Sequence, residues 1–335
     1  MQTTAVGSYP KIPNRPRPAL LRRAIARFDR GEITAEELAR VEDEVTIEVI
    51  GEQTEAGLDI VTDGQIRWDD DQTHIARRLD GFEIGGLIRY FDTNTYYRQP
   101  NVSGPVRWRE QVLVRDYEFA ARHSEKPVKA LITGPYTLAA LSTDSHYGDR
   151  RRLVLDLAQA LHQEALNLAA AGVPVIQVNE PAILRHKEDV PLFMEAVAGM
   201  LDGLPASGRG VQTETSLYTW FGDADGILPQ LLELPVDLIG LDFVSGPGNW
   251  EALKRTVSLW RTKGLGFGIV DARNTKMESA QEIAEQVRRA GEFVPADRLH
   301  VNPSCGLEYL PREVAFEKLK RLVEGVRAAA VGAGV

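Results

Sequence analysis

The sequence lacks several features that mark other classes of protein. Cys305 is the single cysteine among 335 residues, so no internal disulfide can form, and this fits a reducing compartment. No run of about 18 apolar residues occurs, so no transmembrane helix is predicted. The first residues lack the charged and apolar regions of a signal peptide. We therefore expect a cytoplasmic protein with no membrane partner.

Clustered charge is also missing. The formal net charge is −9, but acidic and basic residues are interspersed along the chain. There is no block of lysine and arginine and no alternation of aromatic with basic residues, so nucleic acid is not an expected partner. No histidine pairs with a cysteine or another histidine at the spacing of a metal site.

Short runs rich in β-branched residues recur down the chain, and most of them end in small or polar residues. They cover residues 3–8, 59–65, 128–135, 173–180, 210–216, 237–244, 266–272 and 299–306. Several are apolar almost throughout, which is typical of parallel strands buried on both faces.

Helical patterns lie between these strands. Residues 35–56 repeat apolar side chains at helical spacing, with Thr34 and Glu37 placed to form a capping box. Residues 18–29, 153–171, 280–290 and 313–330 show similar patterns. Eight alternations of strand and helix favour an α/β fold of the (β/α)8 TIM-barrel type. A doubly wound sheet is the main alternative, but no GxGxxG turn follows the first strand.

The segment between the second and third strands is too long for one crossover helix. We predict an insertion at about residues 66–127, containing an extended hairpin around FDTNTYYRQPN. No repeat, low-complexity tract or linker interrupts the chain. Residues 1–335 are therefore predicted to form a single TIM-barrel domain.

Polar residues end nearly every predicted strand, which is where TIM-barrel enzymes place their chemistry. These candidates are Ser8, Asp63, Gln65, Thr133, Asn179, Glu180, Glu214, Ser216, Asp242, Asp271, Arg273, Ser304 and Cys305. Each alone also has an ordinary interpretation as a helix cap or a loop hydrogen-bonding group.

Two carboxylates and the cysteine stand out among the candidates. Glu180 ends a buried strand, and a buried carboxylate needs either a cationic ligand or backbone donors. The same argument applies to Asp242. Cys305 is either a small buried apolar residue or a thiolate that acts as nucleophile or metal ligand.

Five of these strand ends carry motifs that, in this order, resemble the cobalamin-independent methionine synthases. The motifs are VGSYP at 6–10, DGQ at 63–65, TGPYTL at 133–138, QVNEPA at 177–182 and NPSCGL at 302–307. Full-length members contain two related barrels. This chain resembles a single-barrel form, closer to the N-terminal barrel of the long enzymes.

The resemblance implies methyl transfer to the thiol of homocysteine, which gives methionine. In the family a zinc ion, held by one histidine, two cysteines and a glutamate, binds that thiol. On this chain the resemblance assigns Cys305, Glu214 and Asp242 to the metal and Asp242, Arg273 and Cys305 to catalysis. It also assigns Ser8, Gln65, Asn179 and Glu180 to substrate binding.

The chain departs from the family pattern at several of these positions. Residues 214–216 read Glu-Thr-Ser where the family has His-x-Cys, and Asp242 replaces the glutamate ligand. Arg273 stands at the family's catalytic histidine and Leu141 at the tryptophan that stacks on folate. A zinc site therefore lacks its usual ligands, and a methyl-carrier protein becomes a candidate partner in place of free folate.

Three hypotheses remain open at this point. The first is a methyltransferase acting on homocysteine. The second is a non-catalytic homologue that binds a partner or a folate. The third is a different reaction on the same scaffold, such as the decarboxylation performed by the uroporphyrinogen decarboxylases. Fold alone cannot decide among them.

Overall fold

The computed structural model describes residues 1–13, 19–204, 213–260 and 262–332. These residues form two compact units. Unit 1 comprises Met1–Arg67, Phe119–Val128 and Gly266–Val335, and unit 2 comprises Trp68–Glu118 and Lys129–Leu265.

The strands, in chain order, are β1 (Gln2–Thr3), β2 (Leu79–Arg89), β3 (Tyr96–Trp108), β4 (Lys129–Thr133), β5 (Thr143–Asp144), β6 (Val175–Asn179), β7 (Glu214–Tyr218), β8 (Leu238–Asp242), β9 (Gly264–Val270) and β10 (Leu299–Pro303). The α-helices are α1 (Leu20–Asp29), α2 (Ala35–Ala56), α3 (Thr73–Ala76), α4 (Val114–Arg122), α5 (Pro135–Ala140), α6 (Arg150–Ala170), α7 (Val190–Met200), α8 (Leu228–Leu231), α9 (Asn249–Arg255), α10 (Ala280–Ala290) and α11 (Arg312–Gly332). The alternation of strands and helices confirms the predicted α/β class.

Unit 1 is built around parallel strands. β1 pairs with β10, so that Gln2 lies beside His300, and β10 lies next to β9. The predicted strand at 59–65 is reduced to two bridge residues, Ile60 and Val61. Helix α2 has the predicted bounds, and its capping box is present because Thr34 and Glu37 bond each other's backbone N–H groups.

Unit 2 carries a parallel sheet in the order β4, β6, β7, β8. Strands β4, β6 and β8 are buried at every position, as their apolar sequences predict. Register partners in a parallel sheet lie side by side on one face. The register therefore aligns the last residues of β4, β6 and β7, which are Thr133, Asn179 and Tyr218.

A long hairpin in unit 2 precedes the parallel strands. β2 and β3 pair antiparallel, with Leu79 opposite Trp108 at the open end and Arg89 opposite Tyr96 at the tip. The hairpin predicted around FDTNTYYRQPN is thus present. Trp108 donates from its indole Nε1 to Glu164 of α6 at 3.1 Å, which fixes the open end of the hairpin.

One strand begins later than its sequence pattern indicates. β7 starts at Glu214, whereas the predicted strand ended at Ser216, and residues 210–212 lie outside the described part. The expectation that Glu214 and Ser216 lie at the carboxyl end of a strand is therefore wrong. Tyr218 occupies that end instead. The error arose because GVQTETS and TSLYTW are both rich in strand-forming residues, so sequence alone did not fix the boundary.

Within the described residues, no helix combines the length and the apolar character needed to cross a membrane.

The close approach of β7 to β8 in unit 2 generates a stability prediction. A Cβ added at Gly240 would overlap the ring of Tyr218, so we expect Gly240→Ala to destabilise the protein by about 1–3 kcal/mol. Gly51→Ala is the matched control, because Gly51 lies in α2 with open space around it. That change should stabilise the protein by up to about 1 kcal/mol. Urea unfolding of the two variants measures both effects, and equal midpoints would contradict the packing described for Gly240.

Candidate functional site

The carboxyl ends of the parallel strands of unit 2 gather buried polar side chains. Thr133, Asn179 and Tyr218 are register neighbours, and Asp242 lies two residues beyond Gly240, the register partner of Tyr218. All four are at most 3% exposed. The sequence predicted Thr133, Asn179 and Asp242 at strand ends, and the structure places these three at one end of this sheet.

Asp242 joins the two loops that follow β7 and β8. Its Oδ1 accepts from the backbone N–H groups of Val244 at 2.9 Å and Ser245 at 2.8 Å, and its Oδ2 accepts from Phe221 N at 3.1 Å. Burial raises the pKa of Asp242, and these backbone donors oppose the rise. Asp242 is thus a buried carboxyl with a raised pKa, held rigidly at the end of its strand.

Glu180 is held by the first turn of α5. Its two carboxylate oxygens accept from Tyr136 N at 2.9 Å and Thr137 N at 2.7 Å, and the side chain is fully buried. Burial raises the pKa of Glu180 to about 7, opposed by the hydrogen bonds from Thr137 and Tyr136. A Cβ at Gly134 would overlap the Glu180 carboxylate. Of the two partners expected for Glu180, a cationic ligand or backbone donors, these contacts are with backbone donors.

A buried polar chain extends along β4 and β6. Lys129 Nζ donates to Gln177 Oε1 at 2.7 Å, and Gln177 Nε2 donates to Asn179 Oδ1 at 2.7 Å. Lys129 and Gln177 were not identified from the sequence. The available signal was the lysine that opens β4, KALIT, directly before three apolar residues.

Aromatic residues from the hairpin tip lie beside the loop after β7. Phe91 contacts Phe221 with ring centroids 6.0 Å apart, and the Arg185 guanidinium lies 4.8 Å from the Phe91 centroid. Phe91 and Phe221 have φ angles of 48° and 67°, which is the left-handed region that bulky residues rarely adopt. Such strained backbone is concentrated at functional sites. Phe221 N also donates to Asp242, so the backbone of this strained residue contacts the carboxylate.

Unit 1 contains a second polar cluster, around Ser8. The Ser8 hydroxyl donates to a carboxylate oxygen of Glu308, and Leu307 N donates to Ser8 O at 2.9 Å. Burial raises the pKa of Glu308, opposed by Ser8 and by the charge of Lys11 among other groups. Glu308 was missed by the sequence analysis, although it directly follows the NPSCGL motif.

Asp63 and Gln65 lie in the turn after the bridge residues of unit 1. Gln65 N donates to Asp63 Oδ1 at 2.9 Å, and Gln65 has a φ of 52°. Burial raises the pKa of Asp63, while its backbone bond from Gln65 and the charges of Arg67 and Lys11 oppose the rise. Gln65 is thus a buried side chain on backbone in the left-handed region.

The loop after β10 holds Ser304 and Cys305. Ser304 Oγ accepts from Ala272 N at 3.2 Å, and Cys305 is 1% exposed with its thiol 3.4 Å from Gly306 O. Arg273 has an exposed side chain, and its backbone N–H donates to Asp271 at 2.9 Å. Cys305 is therefore sequestered, whereas Arg273 reaches solvent.

The predicted metal set of Cys305, Glu214 and Asp242 is not assembled. Glu214 opens β7 and Asp242 ends β8, and the register of these strands separates them by roughly 20 Å along the strand direction. Among the described residues, no group of three or more His, Cys, Asp and Glu is placed to hold a metal ion. The residues outside the described part of the chain include no His, Cys, Asp or Glu. The side chains present do not fit the zinc site that the resemblance implied.

The chain matches the family model described as "Cobalamin-independent synthase, Catalytic domain" over residues 1–328. It is 35% identical over 328 residues to the methionine synthase of Saccharolobus solfataricus, covering 98% of this chain and 94% of that protein. The methionine synthase of Sulfolobus acidocaldarius is also 35% identical, over 326 residues, with 97% and 91% covered.

Solved structures agree with these sequence matches. A B12-independent methionine synthase from Shewanella sp. W3-18-1, in complex with selenomethionine, has a TM-score of 0.82 and 26% identity, covering 99% of this chain and 98% of that one. A vitamin-B12-independent methionine synthase homologue from Listeria monocytogenes, at 19% identity and a TM-score of 0.76, shares the fold. The matches span nearly the whole chain, so this protein belongs to the family of cobalamin-independent methionine synthases.

Proposed function

We propose that this protein transfers a methyl group to the thiol of homocysteine and so forms methionine. The observation that carries the proposal is the match to the family and to relatives named methionine synthase over 98% of the chain. The Shewanella structure binds selenomethionine, which has the shape of the product.

The reaction requires the thiol to lose its proton. A free thiol has a pKa of about 8.5, so only a small fraction is thiolate near neutral pH. The sulfur forms a bond to the methyl carbon, the carbon–carrier bond breaks, and its electron pair stays on the methyl carrier. The proton passes to a base. We assign that role to Asp242, because its raised pKa brings it closer to the thiol's and general bases work best near the operating pH.

The remaining sequence predictions enter the proposal as binding and catalytic groups. Ser8, Gln65, Asn179 and Glu180 are proposed to contact the amino-acid part of the substrate. Cys305 and Arg273 are the further candidates for catalysis. Support for Ser8 comes from its contact with Glu308, since a hydroxyl whose proton is donated there keeps only lone pairs for a ligand.

The methyl donor is proposed to be a methyl-carrier protein. Leu141, directly after α5, stands where the family resemblance places the tryptophan that stacks on folate. No step is assigned to zinc, because the donor set does not fit it. The barrel closure, the insertion at about 66–127 and the single-domain organisation stay predictions, supported by the alternation of strands and helices.

The first prediction concerns the metal. Purified protein should hold less than about a tenth of a zinc ion per chain. Its homocysteine methylation, assayed with methyl-folate and with a methylated corrinoid protein as donors, should be unchanged by a chelator. Elemental analysis and methionine quantification test this. Stoichiometric zinc, or activity abolished by chelation and restored by zinc, would contradict it.

The second prediction concerns Asp242. Asp242→Asn should lower kcat by about 10²- to 10⁴-fold, the usual contribution of a general base. Burial raises the pKa of Asp242, and a base acts only when deprotonated. Wild-type activity should therefore fall as the pH drops through that raised pKa, and the residual activity of the variant should lose this limb.

Asp237→Asn is the matched control for Asp242→Asn. Asp237 also clamps backbone in unit 2, accepting from Thr215 N at 2.8 Å, but at the opposite ends of the strands. Its loss should lower the unfolding midpoint and leave kcat within about twofold, because it does not touch the site. Equal losses of kcat in both variants would indicate a structural role for Asp242.

A non-catalytic role is the second candidate, and the missing metal ligands favour it. In that case homocysteine binding would be absent along with methylation. Titration calorimetry with homocysteine alone separates the two, because the proposed enzyme binds its thiol substrate without a donor.

A further inference from the structure

The hydrogen-bond chain of Lys129, Gln177 and Asn179 runs along one face of β4 and β6. Lys129 and Asn179 are each 3% exposed and Gln177 is fully buried. Both bonds measure 2.7 Å, at the short end of the range for N–H···O bonds. The chain begins at the first residue of β4 and ends at the last residue of β6, where the candidate site lies.

Lysine sets the direction of this chain. An ammonium group has donors and no acceptor, so Gln177 must turn its carbonyl oxygen toward Lys129. Its amide nitrogen must then face Asn179, where it can only donate. The oxygen of Asn179 is therefore the acceptor, and its amide nitrogen keeps two donors. Within the described residues, Asn179 makes no other side-chain hydrogen bond.

We propose that Asn179 binds the carboxylate of the substrate through its amide N–H groups, and that Lys129 and Gln177 are positioning residues that fix this orientation. The proposal rests on the proposed function, since it takes the homocysteine carboxylate as the ligand. An aspartate at this position, as the family resemblance implies, would accept hydrogen bonds and favour an ammonium group. The Asn179 side chain thus reverses the polarity of the subsite.

A second buried amide lies in the same part of unit 2. Gln72 is 1% exposed, and neither its Nε2 nor its Oε1 has a partner among the described residues. It follows Asp71, whose carbonyl accepts from Thr133 Oγ1 at 2.6 Å, and Thr133 is the register partner of Asn179. A buried amide without hydrogen-bond partners is costly, so its presence one residue after the Thr133 contact points to a polar ligand.

The groups around Lys129 determine the pH at which the binding experiment should be done. Its ammonium lies 5.1 Å from the centroid of the Tyr218 ring, and Glu214 is the nearby carboxyl group. Burial lowers the pKa of Lys129 to about 7, and the charge of Glu214 opposes this. Measurements at about pH 6 keep Lys129 protonated and the direction of the chain fixed.

The experiment compares two halves of homocysteine by titration calorimetry on the full chain. 4-Mercaptobutyrate keeps the carboxylate and lacks the ammonium, and 3-mercaptopropylamine keeps the ammonium and lacks the carboxylate. The wild type should bind the carboxylate ligand about 10- to 100-fold more tightly, the effect of one charge-assisted hydrogen bond. Equal affinities, or a preference for the amine, would overturn the proposal.

Gln177→Glu tests the direction of the chain with an almost isosteric change. A carboxylate at 177 accepts from both sides, so Asn179 must rotate and present its oxygen to the ligand. The preference for 4-mercaptobutyrate should then disappear. Lys129→Met is the control, because it makes the same change in net charge without adding an acceptor next to Asn179. Lys129→Met should weaken the binding of 4-mercaptobutyrate at least about fivefold less than Gln177→Glu does. In Lys129→Met, the Asn179 amide keeps access to both orientations.

Equal losses in Gln177→Glu and Lys129→Met would indicate a charge effect and overturn the positioning role. If Gln177→Glu does not fold, Asn179→Asp replaces it, and the preference for 4-mercaptobutyrate should disappear in that variant as well. No methyl donor is present in these titrations. If the protein binds 4-mercaptobutyrate but forms no methionine, the proposed methylation is contradicted and the inference about Asn179 is not.

Discussion

Burial of polar side chains at the strand ends is the constraint on which the rest of this structure depends. A carboxylate taken out of water is costly unless donors surround it, and both prominent acids of unit 2 meet that cost with backbone N–H groups. Glu180 takes two from the first turn of α5, and Asp242 takes three from the loops after β7 and β8. The carboxylates therefore fix the backbone of the surrounding loops and of the first turn of α5, and these N–H groups in turn fix the positions of the carboxylates.

The same constraint explains why Glu180, the strongest candidate from the sequence, tells less about ligand binding than its neighbour Asn179. Glu180 was expected to bind either a cationic ligand or the backbone, and its carboxylate accepts from two backbone N–H groups. Asn179, one residue earlier, is a neutral amide whose orientation comes from a lysine at the far end of a neighbouring strand. A side chain on β4 thus determines which atoms of Asn179, on β6, face the candidate site.

Much of the fold could be predicted from the sequence because it follows local rules. Helix α2 begins and ends where its capping box and apolar spacing indicate, and α10 likewise matches residues 280–290. The apolar runs of β4, β6 and β8 also identified buried strands. The start of β7 could not be read, because two overlapping segments have similar strand propensity and only pairing with β6 selects one of them.

The site could be predicted only where it depends on single positions. The ends of β6 and β8 placed Asn179 and Asp242 correctly. Contacts between residues distant in sequence could not be inferred: Ser8 with Glu308 spans 300 residues, and Lys129 with Gln177 spans 48. The predicted metal set failed for the same reason, since it depended on Glu214 lying at the end of its strand rather than at the start.

Family membership and the absence of a fitting donor set can both hold without contradiction. The family match depends on the strands, helices and strand-end motifs that build the scaffold, and these extend over residues 1–328. Thiol activation depends on a few side chains carried by that scaffold, and those are free to change while the scaffold persists. With Tyr218 at the end of β7 and Asp242 at the end of β8, this chain offers oxygen atoms where a soft thiolate site would need sulfur and nitrogen. Asp242 is a rigid buried carboxyl with a raised pKa at the end of β8, which is why we propose it as the group that accepts the proton.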